Sequence, residues 1–83
     1  GRLMKVFAEA VIQIDVAMNL VIIKTLPGMA QAGAAALDSM RLPEIAGSIA
    51  GDDTIFVATR STDQAEILGR LLGQIAMQPN DRA

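Results

Sequence analysis

An 83-residue chain with a net charge of −2 and only seven Lys and Arg, scattered along its length, is a poor partner for nucleic acid, because neutralising phosphates needs clustered cations. No apolar run approaches the roughly 18 residues of a membrane span, and no signal-peptide pattern opens the sequence. A soluble, cytoplasmic chain without membrane contact is therefore expected. Apolar residues make up 52% of the chain, with two Phe and no Trp or Tyr, which is more apolar surface than one domain this small hides when folded alone. Self-association is expected on that ground.

Taken in chain order, residues 1–9 read as a helical or linking lead-in from a missing N-terminal domain, with Arg2–Ala8 as its short helix. Val11–Val16 and Leu20–Leu26 are β-branched runs separated by Ala17, Met18 and Asn19, the pattern of an antiparallel hairpin. Leu20–Ile23 is apolar at every position, as expected of a strand covered on both faces, here by helices and by a neighbouring subunit. Pro27 suits the first turn of a helix running to about Met40, since its missing donor is not needed there. Gly33 inside that helix costs about 1 kcal/mol relative to Ala, so close packing is its simplest explanation.

Ile45–Ala50 and Thr54–Arg60 form a second strand pair joined at Asp52. Ser61 then caps a second helix with Gln64 in the reciprocal position, and Leu68, Leu71, Leu72 and Ile75 recur at helical spacing. Glu66 and Arg70 fall on its solvent side, and the helix reads as scaffold. Residues 78–83 are polar and read as a flexible tail. The expected fold is α/β of the α+β kind: a four-stranded antiparallel sheet with two helices packed on one face, in the order ββαββα, over residues 10–77.

Asp52 and Asp53, after Gly51 and before Thr54, Ile55, Phe56 and Val57, place two adjacent carboxylates at a turn. Such a pair grips a cationic group through charge-assisted hydrogen bonds, although Gly-Asp is also an ordinary hairpin loop. Gln31 and Asp38 lie seven residues apart and so project from one helix face. Asp38 sits in the last turn, where the helix dipole disfavours a carboxylate unless a cation or donor meets it. Both also suit plain solvated positions. With no His and no Cys, acid, base and nucleophile would all fall to carboxylates, so an enzyme is not expected. A divalent metal at Asp52, Asp53 and Glu44 lacks the loop spacing of a calcium site, and no metal is expected.

The wider pattern of Thr25, Leu26, Pro27, Gly28, then Ala30, Gln31, Leu37 and Asp38, then Gly47 through Val57 resembles the arginine repressor family. The resemblance falls on that family's C-terminal domain and runs from about Ala10 to Ile75. It implies an oligomerisation domain that assembles as a homohexamer, a dimer of trimers, with L-arginine bound between the trimers as effector. Operator DNA would be contacted only through the absent N-terminal domain. By the same resemblance Gln31 and Asp38 hold the amino-acid end of the ligand and Asp52 and Asp53 meet the guanidinium; backbone groups near Ser48 and Ala50 suit its α-carboxylate, and Asp52, nearer Ala50, ranks above Asp53. The pattern departs at Ser48, where threonine is usual, at Met29, where Ala or Asn is, and at Ala35, where some members carry arginine. The alternative is an amino-acid-binding oligomerisation module attached to a domain that does not bind DNA, such as a catalytic one.

Overall fold

A computed structural model describes residues 2–76; the tail expected at 78–83, and residue 77 of the expected domain, lie outside the described residues. The elements are α1 (Arg2–Ala10), β1 (Val11–Ala17), β2 (Leu20–Thr25), α2 (Ala30–Ser39), β3 (Ile45–Ala50), β4 (Thr54–Thr59) and α3 (Thr62–Ala76). One antiparallel sheet forms in the order β1-β2-β4-β3. The expected α+β fold and its ββαββα order are therefore present, preceded by the additional helix α1.

Side chains alternate across the sheet. Val21, Ile23, Ile55 and Val57 are fully buried against Leu37 of α2 and Ala65, Leu68 and Leu72 of α3. This face is the core. The central pairing of β2 with β4 joins strands from different hairpins, with Val21 opposite Val57 and Ile23 opposite Ile55. The other face carries Ile22 opposite Phe56 and Lys24 opposite Thr54, with Ile49 of β3 beside Phe56. No described segment covers it: Ile49 is 74% and Phe56 47% exposed. The all-apolar run Leu20–Ile23 thus splits into a buried helix side, Val21 and Ile23, and a half-buried open side, Leu20 and Ile22.

Where the sequence suggests a lead-in, α1 is packed. Leu3, Phe7 and Ala10 recur at helical spacing, and Phe7 is among the largest fully buried side chains of the chain. The helix ends into β1 with the Ala10 carbonyl accepting the Leu26 N–H at 2.9 Å.

Pro27 does not open α2. It occupies the second position of a four-residue turn closed by the Met29 N–H on the Leu26 carbonyl at 3.0 Å. Gly28 follows with φ +77°, the type II arrangement in which proline sets the first dihedral and glycine takes the positive one. The helix starts three residues later, at Ala30, and Met29 at its N-cap offers no side-chain bond. Gly33 is a close-packing position as expected: a Cβ there would stand 3.3 Å from Ile55 Cδ1. At the head of α3 the Gln64 N–H reaches Ser61 Oγ at 3.1 Å, while Gln64 Oε1 is buried without a partner. Half of the expected reciprocal cap forms.

Candidate functional site

The β3–β4 turn is locked to the start of α2. Asp52 does this twice: its carbonyl accepts the Ala30 N–H at 3.1 Å, and its Oδ2 accepts the Gly28 N–H at 3.2 Å. The first turn of a helix exposes unpaired N–H groups, and α2 lacks a side-chain cap of its own, so a residue from another hairpin serves that end. A carboxylate is also favoured there by the helix dipole. Asp53 is fixed differently. Its carbonyl accepts the Thr25 N–H at 2.8 Å, continuing the β2–β4 ladder, and its Oδ1 accepts the Thr54 hydroxyl at 2.9 Å. Among the described residues neither Asp52 Oδ1 nor Asp53 Oδ2 receives a side-chain hydrogen bond, and both residues are exposed.

The other candidate residues follow the seam between α2 and β3. Gln31 Nε2 donates to the Ala50 carbonyl at 3.3 Å, and Ser48 Oγ lies 3.4 Å from Asp38 Oδ1, a long contact. Along α2, Gln31 and Asp38 are separated by about 10 Å of helix rise. The seam is therefore bounded by the Asp52–Asp53 turn beside its Gln31 end and by the Asp38 carboxylate at the other. All six sequence-derived residues, Gln31, Asp38, Ser48, Ala50, Asp52 and Asp53, are brought onto this one edge of the fold.

Three carboxylates with unused oxygens favour a cationic ligand, and a carboxylate at each end of a polar seam favours an elongated one with a positive group at both ends. A planar fork of donors suits the adjacent pair better than an ammonium does, because each carboxylate still offers a directed lone pair. The metal alternative does not assemble. Asp52, Asp53 and Glu44 do not converge, and among the described residues no three His, Cys, Asp or Glu side chains gather as a metal site. Among the same residues no helix is long and apolar enough to cross a membrane.

Two features of the site were not legible in the residues. The backbone grip of Asp52 on Gly28 and Ala30 involves N–H groups that no side-chain pattern reports. Lys24, whose Nζ donates to Thr54 Oγ1 at 2.9 Å, reaches the turn only because β2 pairs with the non-consecutive strand β4.

The model of the arginine repressor C-terminal domain matches residues 7–74. The chain belongs to that family. An arginine repressor of Caldicellulosiruptor saccharolyticus is 58% identical over 65 residues, covering 78% of this chain and 43% of the relative. One from Acetivibrio thermocellus is 51% identical over 76 residues, covering 92% and 50%. A third, from Carboxydothermus hydrogenoformans, is 51% identical over 70 residues, covering 83% and 47%. The chain thus spans about half the length of the curated relatives it matches. As an arginine repressor C-terminal domain it begins its family match at Phe7, the largest α1 side chain buried in the core.

Proposed function

We propose that this chain is the L-arginine-sensing and self-assembly domain of a transcriptional regulator. Arginine, the effector, lies along the α2–β3 seam. Its guanidinium meets the free oxygens of Asp52 and Asp53, its α-amino group meets Asp38, and Gln31 with backbone near Ser48 and Ala50 orients its amino-acid end. The exposed carboxylate pair, held by backbone bonds on both residues instead of by a mobile loop, is the observation that supports this most. Binding at an interface between trimers would make the ligand a tie between subunits. Its effect on operator contact, made by a separate N-terminal domain in the cytoplasm, then follows by reciprocal linkage. Membrane, metal and catalysis have no part in this reading.

Ligand chemistry tests it. In calorimetric titrations L-arginine gives a saturable heat, whereas L-lysine, which lacks the fork, and L-citrulline, which lacks the charge, bind at least about tenfold more weakly, the worth of one charge-assisted contact. Equal heats for arginine and citrulline would remove the carboxylate pair from recognition.

The assembly is a homohexamer built as a dimer of trimers, and the open sheet face is its apolar resource. Ile49 and Phe56 together with the half-buried Ile22 form a contiguous exposed patch, of the kind that marks subunit contacts. Sedimentation equilibrium at micromolar concentration is expected to give trimer or hexamer, and Phe56→Glu, which puts a charge in the patch, to give monomer. A monomeric parent chain, with and without arginine, would overturn the assembly.

A further inference from the structure

Lys24 belongs to the open sheet face by register, opposite Thr54, yet it is chemically connected to the acidic turn. Its Nζ donates to Thr54 Oγ1 at 2.9 Å, and the same hydroxyl donates to Asp53 Oδ1 at 2.9 Å. A hydroxyl has one proton to give and lone pairs to receive with, so the two bonds have a fixed direction, from ammonium through hydroxyl to carboxylate. Lys24, Thr54, Ile22, Ile49, Gly51 and Phe56 line one shallow groove, in which the ammonium stays exposed. The chain of bonds holds Asp53 Oδ1 and leaves Oδ2 for another donor.

We propose that Lys24, relayed by Thr54, is the resident counter-charge of Asp53 and sets how tightly the acidic turn holds a cationic ligand. This rests on the arginine reading for the identity of that ligand, but the Lys24–Asp53 link stands apart from it. A positive charge one hydroxyl away from the carboxylate repels an incoming guanidinium, and this repulsion is screened by salt because the group is exposed. Lys24 therefore lowers affinity. It also holds one of the two Asp53 oxygens, through Thr54, in the position from which the other faces outward.

The test uses the 83-residue chain with Lys24→Gln, which removes the charge and keeps a donor for Thr54, and Lys24→Arg, which keeps the charge. L-Arginine is expected to bind Lys24→Gln about threefold to fivefold more tightly at 50 mM salt, with the gain falling below about twofold at 0.5 M, as the Debye length shrinks. Lys24→Arg is expected to stay within about twofold of the parent. Unchanged or weaker binding by Lys24→Gln at low salt would overturn the affinity-setting role. A thermal double-mutant cycle of Lys24→Gln with Asp53→Asn, run without arginine, reads the link by itself. It is expected to be non-additive, Lys24→Gln lowering the melting temperature of the parent and leaving that of Asp53→Asn unmoved. An additive cycle would overturn the counter-charge. Arginine heat absent from every protein together with a non-additive cycle would overturn the arginine reading and with it the affinity role, while leaving Lys24 as the counter-charge of Asp53.

Discussion

Asparagine in place of Asp53 is expected to lower L-arginine affinity about tenfold or more and to leave the stability of the ligand-free chain within about 0.5 kcal/mol of the parent, the range of ordinary surface substitutions. The amide oxygen of the substituted side chain can still accept the Thr54 hydroxyl that Asp53 Oδ1 accepts at 2.9 Å, so the turn stays closed. What disappears is charge: a hydrogen bond to a charged group contributes roughly 1.5 to 3 kcal/mol, against about 1.4 kcal/mol for each factor of ten in affinity. Asp52 allows a finer separation. Asp52→Asn keeps an acceptor for the Gly28 N–H and is expected to lose affinity by a similar factor. Asp52→Ala also deletes that bond, and losing a cap-like contact costs about 0.5 to 2 kcal/mol of stability in addition. Calorimetry for affinity and urea titration for stability check both. Unaltered arginine affinity in Asp52→Asn and Asp53→Asn alike would return the pair to a solvated hairpin turn.

Phe7→Ala is expected to lower stability by about 3 to 5 kcal/mol, the usual cost of emptying a phenylalanine site in a core. Phe7 is 0% exposed, whereas Leu3 on the same helix is 48% exposed. Leu3→Ala should therefore cost less than about 1 kcal/mol, since little area returns to water. Native domains hold only about 5 to 15 kcal/mol in total, so the Phe7 variant sits near the edge of folding. Urea unfolding at one fixed protein concentration makes the comparison, because association adds to apparent stability. A loss below about 0.5 kcal/mol for Phe7→Ala, the range of surface substitutions, would mean that residues 2–10 act only as a linking segment.

The four strands and the two later helices were legible because their signals are local. Alternating β-branched runs, the Ser61 cap and the leucine spacing of α3 each operate within about a dozen residues. Pro27 shows the limit of such signals, since a proline suits both the first turn of a helix and the second position of a type II turn. Gly28 at φ +77° decides for the turn. Helix α1 shows another limit: its periodicity is visible, but only the position of α2 and α3 above the sheet makes Phe7 a core residue instead of the apolar side of a linker.

At the site, the sequence by itself determined the charge and the donor types: two adjacent carboxylates at a turn, and Gln31 and Asp38 on one face of a helix. Its resemblance to the arginine repressors gave these four a ligand, with backbone near Ser48 and Ala50 beside them. Tertiary structure decided how they are held. Asp52 meets Gly28 and Ala30 across more than twenty positions of sequence, and Gln31 meets Ala50 across nineteen. These contacts depend on where the second hairpin lies against α2, and its place is fixed by the β2–β4 pairing. Lys24 was the residue least accessible to sequence reading. An isolated lysine in a strand carries no local signal, and its relation to Asp53 exists only through the cross-strand register that sets it opposite Thr54, because a register of non-consecutive strands is chosen by burial of Val21, Ile23, Ile55 and Val57 on the far face and not by the polar residues that it brings together.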